Sequence, residues 1–196
     1  NTNARCGFIQ VPLDWNKPGA GAIKIAVAIN PTANPENSPY LLMNPGGPGG
    51  SGRDWVLKYI TSLGTQKMRD SYNIVGFDPR GVGASTPVKC YTVERNKMFL
   101  YDSSPYELGS EQDINFSKKA IKDFGKACLK NTGAVLGHVD TQSAAKDMDI
   151  IRAVLGSKKL NYLGFSYGTL LGLTYAAYFP KNVGRFVLDG VVDPTV

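Results

Sequence analysis

Gly164-Phe165-Ser166-Tyr167-Gly168 has the pattern G-x-S-x-G, preceded by an apolar run from Leu160 and followed by a small-residue segment with helical character. Residues of these types at this spacing suit acyl transfer. A serine held on a sharp strand-to-helix turn projects its hydroxyl above a sheet, and flanking glycines remove the Cβ atoms that would clash there. Gly172, one helical turn beyond Gly168, would let that helix lie close to the sheet. The helix N-terminus would also aim positive charge at a developing oxyanion. Such a site needs two fixed donors, and losing one costs on the order of 3 kcal/mol of transition-state stabilisation. The backbone N–H of Tyr167, the residue after the serine, is one candidate. The other comes from the glycine run Asn44-Pro45-Gly46-Gly47-Pro48-Gly49-Gly50-Ser51-Gly52. Pro48 has no N–H to give, so Gly47 is the first choice there and Gly46 the second. A phosphate cradle is the competing use of a glycine-rich loop, but the run lacks a G-K-[ST] ending and a G-x-G-x-x-G leading into a helix.

The elements that must carry these residues are readable from periodicity. Ile23, Ile25, Val27 and Ile29 alternate with Lys24, Ala26 and Ala28, as in a strand with one face more deeply buried, and Pro31 ends it. Residues 30–39, rich in Asn and Pro, read as a turn, after which Tyr40-Leu41-Leu42-Met43 is a short buried strand running into the glycine loop. Further apolar runs at 72–77, 160–165 and 185–188 alternate with helical patterns, which predicts βαβ units and a mainly parallel sheet. Ala144, Met148, Ile151 and Leu155 recur at helical spacing, with Thr141 as the expected N-cap and Gly156 as the stop. A second helix is signalled by Ser110 and Asp113 as a capping box, with Ile114, Ile121, Phe124 and Cys128 on one face. Lys118, Lys122, Lys126 and Lys130 mark the other face, read as solvated, with its cations toward the negative end of the helix dipole.

At 196 residues and 42% hydrophobic content, the chain is long enough for one good core, and no composition shift divides it into unrelated domains. No stretch approaches the roughly 20 apolar residues of a membrane span. Residues 1–4 lack a signal architecture, so the expectation is a soluble protein whose export signal, if any, has been removed. The net charge of +6 is spread along the chain, and nucleic acid is not an expected partner. Cys6, Cys90 and Cys128 have no metal-ligand spacing, so neither a metal nor a cofactor is expected. Cys90 precedes, and Cys128 lies on, the lysine-striped helix; a disulfide between them is expected, with buried thiols as the alternative. Cys6 would then be unpaired in this chain or bonded to a segment outside it. Asn115-Phe116-Ser117 is a glycosylation sequon compatible with a secreted or extracytoplasmic location.

Five segments, in order and over nearly the whole chain, resemble the tripeptidyl aminopeptidase and prolyl aminopeptidase branch of the α/β-hydrolases. They are Val11-Pro12-Leu13-Asp14, the glycine run from Asn44, the run of Phe77-Asp78-Pro79-Arg80-Gly81-Val82-Gly83-Ala84-Ser85, the segment Gly164 through Thr169, and Val187 through Pro194. The resemblance implies an α/β-hydrolase fold, a mainly parallel sheet with flanking helices. It places Ser166 as the nucleophile and implies that Asp78, Arg80 and Ser85 brace the neighbouring loop rather than react. It reads residues 1–196 as the N-terminal part of a catalytic domain, with an insertion at about 90–140 and without the cap and the last two strands.

In this fold the triad runs Ser, then Asp or Glu, then His, and no histidine follows Ser166. His138, the one histidine, precedes the serine and is read as a surface or loop-packing residue. Asp189 stands where some relatives supply the acid, but the resembled branch takes it from the next strand, so a structural role is expected. The implied partner is therefore a C-terminal polypeptide carrying the cap, the catalytic Asp and the His. The implied activity is release of short peptides or residues from a free N-terminus. Esterase, lactonase or thioesterase chemistry on the same serine, and a non-catalytic binding protein of the same fold, are the alternatives.

Overall fold

The computed structural model describes residues 3–62 and 64–193. In chain order its main elements are β1 (Arg5–Pro12), β2 (Ala22–Asn30), β3 (Tyr40–Asn44), α1 (Gly52–Tyr59), α2 (Gln66–Ser71) and β4 (Asn73–Phe77), followed by α3 (Val93–Tyr101), α4 (Glu111–Thr132), α5 (Thr141–Val154), β5 (Leu160–Phe165), α6 (Tyr167–Tyr178) and β6 (Val183–Asp189). The strands form one sheet in the order β1-β2-β4-β3-β5-β6. The β1–β2 and β2–β4 pairs are antiparallel, while β4–β3, β3–β5 and β5–β6 are parallel. The parallel half is where crossover connections carry helices, and its central strands are covered on both faces: all five residues of β4 and four of the five of β3 are buried.

The chain divides into two compact units, Asn1–Thr86 with His138–Val196, and Pro87–Gly137. The larger holds the sheet and its core, where Ile25, Leu42, Met43, Ile74, Phe77, Met148, Ile151, Tyr162, Leu171 and Tyr175 are fully buried. α5 buries Ala144, Met148 and Ile151 of the stripe its spacing implies, with Ala145 beside them, while Leu155, the fourth, is the half-buried C-cap residue. Its N-cap is Asp140 rather than Thr141: Asp140 has extended backbone and its carboxylate accepts the Ser143 N–H at 2.7 Å. α1 lies on β4 with almost no separation, since an ideal Cβ on Gly76 would sit 2.0 Å from the Gly52 carbonyl oxygen.

The smaller unit is built from α3 and α4. Cys90 and Cys128 are joined by a disulfide. Phe99 stacks on Phe124 with centroids 4.5 Å apart, and Tyr91 meets both edge-on. The Ser110 hydroxyl caps α4 by accepting the Asp113 N–H, and the Asp113 carboxylate accepts the Gly109 N–H rather than that of Ser110. That bond, with the Ser104 hydroxyl, holds the Asp113 carboxyl below its ordinary range. Of the four residues expected on one apolar face, Phe124 and Cys128 are covered, but Ile114 and Ile121 are 44% and 66% exposed. Helix face explains this: Phe116 and Ala120 line a hollow with Met98 and Phe99 of α3, and at about 3.6 residues per turn Ile114 and Ile121 lie roughly 100° or more round the helix from them. Lys118, Lys122, Lys126 and Lys130 are exposed, as a solvated face requires.

Candidate active site

β5 ends at Phe165 and α6 begins at Tyr167, leaving Ser166 alone to turn the chain. It does so at φ 51°, ψ −122°, and among the described residues it is the sole non-glycine residue with positive φ. This conformation disfavours an L-residue and persists only where surrounding bonds dictate it. The Ser166 N–H donates to the Asp189 carbonyl at 2.9 Å, and its own carbonyl accepts the Thr169 N–H and hydroxyl at 2.8 and 2.7 Å. The Ser166 side chain caps no helix bond and is exposed. Its hydroxyl is thus kept out of the structural bonding.

The glycines of the elbow are required by contact. A Cβ on Gly164 would lie 2.5 Å from the Gly168 carbonyl oxygen, and one on Gly168 would lie 2.8 Å from that of Asn44. The Gly168 carbonyl also accepts the buried Tyr162 hydroxyl at 2.8 Å, and burial pushes that phenol's pKa up, so it stays a neutral donor. The glycine loop crosses directly over this turn. Gly46, at φ 93°, would place a Cβ 2.4 Å from the Phe165 carbonyl oxygen and 3.1 Å from Ser166 Cβ. Gly47 follows at φ 116° and is exposed, with a cis bond to Pro48. The Tyr167 side chain is anchored away from the turn, its hydroxyl 2.8 Å from the Thr141 hydroxyl.

The loop after β4 is braced by buried polar groups. The Asp78 carboxylate accepts the Ser51 hydroxyl and the N–H groups of Arg53 and Ala84, and the Ser85 hydroxyl donates to the Asp78 carbonyl while accepting the Ala26 N–H. Arg80, 3% exposed, donates to both oxygens of Asp147 at 2.7 Å and to the carbonyls of Pro12, Leu13 and His138. Asp147 also accepts the Trp15 indole N–H. Desolvation pushes its carboxyl up to about 6 against the pull of the Arg80 guanidinium and the indole. Sequence reasoning passed over Asp147, although a carboxylate on the buried stripe of α5 is a signal that a cation must meet it.

His138 meets this network through its carbonyl. Asp189 meets Ser166 through its backbone carbonyl, and its side chain is exposed. Among the described residues no carboxylate or imidazole is hydrogen-bonded to the Ser166 hydroxyl, and no group of three or more His, Cys, Asp or Glu is arranged to hold a metal. Cys6 is exposed and carries no disulfide. No described helix is long and apolar enough to cross a membrane. Pro194, the end of the last motif, lies outside the described residues.

A strained serine between a buried parallel strand and a helix, beneath a glycine loop, defines a class, and comparison with known proteins agrees with it. Residues 39–196 match the family model described as alpha/beta hydrolase fold. The chain belongs to the α/β-hydrolase fold family. It is 40% identical over 194 residues to a tripeptidyl aminopeptidase of Streptomyces coelicolor, a match covering 97% of this chain and 36% of that protein. It is 37% identical over 200 residues to the serine protease Hip1 of Mycobacterium tuberculosis, again covering 97% of this chain and 36% of the relative. The chain therefore spans little more than a third of these relatives' length. An epoxide hydrolase variant from Vigna radiata superposes with a TM-score of 0.54 at 15% identity, covering all of this chain and 42% of that one, and shows the likeness of fold.

Proposed function

We propose that this chain is the nucleophile-bearing part of a serine peptidase that releases short peptides from a free amino terminus through an acyl-enzyme on Ser166. The observation that carries the reading is the elbow itself: a strained serine, excluded from structural hydrogen bonds and exposed, at the N-terminus of α6. The Ser166 hydroxyl oxygen attacks the scissile carbonyl carbon, its proton passing to a histidine base. The oxyanion is held by backbone N–H groups of Tyr167 and the glycine loop. Collapse expels the amine with that proton, and water then hydrolyses the ester. The peptidase reading is supported by the names of the relatives, tripeptidyl aminopeptidase and serine protease. An extracytoplasmic location is supported by the Cys90–Cys128 disulfide, since such bonds persist in oxidising compartments.

The base and the acid belong, in this proposal, to a C-terminal polypeptide bound to this chain. The support is chemical. His138, the one histidine of the sequence, makes no hydrogen bond to the Ser166 hydroxyl among the described residues, and serine without a base is a weak nucleophile at neutral pH. Among the described residues β6 is also an edge strand with one ladder unpaired, at which a further strand would continue the sheet.

The test assays residues 1–196 alone and assembled with the C-terminal continuation, on a tripeptidyl amide, its N-acetylated form and a simple ester. The assembled enzyme is expected to prefer the free-amine peptide, the lone chain to be inert, and Ser166→Ala to lose about 10⁴-fold or more in kcat with an unchanged Tm. Full turnover by the lone chain, or by Ser166→Ala, overturns the proposal; preference for the ester replaces the peptidase by an esterase.

A further inference from the structure

The glycine loop offers two N–H groups over the elbow, and a neighbouring side chain separates their roles. Asn44, the last residue of β3 and 1% exposed, accepts the Gly46 N–H on its Oδ1 at 2.9 Å. Gly46 is thereby spent. The N–H groups of Gly47 and Tyr167 donate to nothing among the described residues. Asn44 also lies against the first turn of α6: a Cβ on Gly168 would stand 2.8 Å from the Asn44 carbonyl oxygen, 3.0 Å from Oδ1 and 3.4 Å from Cβ. Across the sheet its backbone is paired with Gly164. One buried side chain therefore touches the loop bearing one free donor and the helix turn bearing the other.

We infer that Asn44 is a positioning residue for the oxyanion hole, which withdraws the Gly46 N–H, leaves Gly47 as the loop's donor, and fixes the spacing between the Gly47 and Tyr167 donors. This rests on the reading of Ser166 as nucleophile. The residue type follows from the chemistry. An aliphatic side chain here would leave the buried Gly46 N–H unpaired and the loop free to seek another acceptor. An aspartate would keep the acceptor but, once ionised, set a buried negative charge beside the developing one. A neutral carbonyl oxygen on a short, buried, unbranched stem meets both demands.

The experiment compares Asn44→Ala, Asn44→Leu and Asn44→Asp in the assembled enzyme with wild type and with Ser166→Ala. Asn44→Ala and Asn44→Leu are expected to lower kcat by roughly 10- to 100-fold with KM within about threefold, the signature of donors misplaced for the transition state. Affinity for a peptide boronate, whose tetrahedral adduct on serine loads the same donors, should weaken in parallel with kcat/KM. For Asn44→Asp the kcat deficit relative to wild type should deepen as pH rises and the carboxyl ionises. Unchanged boronate affinity and kcat in the folded Ala and Leu variants overturns the inference. If those two do not fold, the Asp variant decides: a deficit that stays flat with pH overturns it, and one that deepens supports it. Activity surviving in Ser166→Ala sinks the underlying reading instead, whereas an inert Ser166→Ala beside a fully active Asn44→Ala sinks the role of Asn44 alone.

Discussion

The elbow around Ser166 and the Pro87–Gly137 unit both contain glycines, and these glycines do opposite things. Around the elbow, a Cβ added to Gly46, Gly164 or Gly168 would lie 2.4, 2.5 and 2.8 Å from a backbone oxygen. In the smaller unit, a Cβ on Gly109, Gly125, Gly133 or Gly137 would meet nothing within 4 Å. In the first region shape is dictated by exclusion: three stretches of backbone meet so closely that no side chain fits, and the strained serine is what remains between them. In the second, shape is set by attachment, through one disulfide, three packed aromatic rings and side-chain caps. Exclusion gives the precision a reacting hydroxyl needs, because nothing can relax without a clash. Attachment holds a segment in place while leaving its surface open to change.

Gly46→Ala breaks this comparison most directly. The new methyl meets the Phe165 carbonyl oxygen, and alanine at φ 93° is strained whatever the space. A loss on the order of 4 kcal/mol is expected, the upper range for single substitutions, read as the shift in denaturant midpoint at constant m. A variant as stable as wild type would show that the loop is not pinned against the elbow. Removing the Cys90–Cys128 crosslink by a Cys→Ala double replacement should have a smaller effect of another kind. With the partners 38 positions apart, loop entropy assigns the bond about 2–4 kcal/mol. That loss should fall on the smaller unit, raising hydrogen exchange in α3 and α4 while amides of β3, β5 and α6 stay protected. Equal loss of protection throughout the chain would mean that the two units unfold as one.

Much of the first region was legible in sequence because its rule is steric, and glycine is the only residue that satisfies it. The pattern from Gly164 to Gly168 states which Cβ atoms are missing, and the turn follows. The two polar anchors of the site were less legible. Asn44 at a strand end reads as an ordinary turn residue until its partner, the Gly46 N–H, is seen folding back beneath it. Arg80 and Asp147 are 67 positions apart, and nothing local says that they meet. β1 escaped periodicity for a different reason: as an exposed edge it has little apolar alternation to show. Periodicity succeeded for Ala144, Met148 and Ile151 of α5, less so for the half-buried Leu155, and overstated the cover on α4, whose Ile114 and Ile121 share the spacing of Phe124 and Cys128 but lie round the helix from Phe116 and Ala120, which face α3. A hydrophobic stripe records which face can be buried, and where the partner helix lies across it decides how much of it is.

The smallest expected effect is also the sharpest contrast with Gly46→Ala, because the same substitution should carry the opposite sign. Gly125 sits inside α4, is exposed, has no positive φ, and an ideal Cβ there meets nothing within 4 Å. Alanine at this position adds no clash, improves helix propensity, and removes backbone freedom from the unfolded chain more than from the folded one. Gly125→Ala is therefore expected to stabilise α4 by about 0.5–1 kcal/mol, visible as slower exchange of the α4 amides and a modest rise in Tm. Activity of the assembled enzyme should not change, since Gly125 belongs to neither the elbow nor its loop. Destabilisation by this single methyl would mean that the Gly125 face of α4 is closely covered in the assembled protein. Attachment would then be the wrong description of this unit, and exclusion would govern both regions.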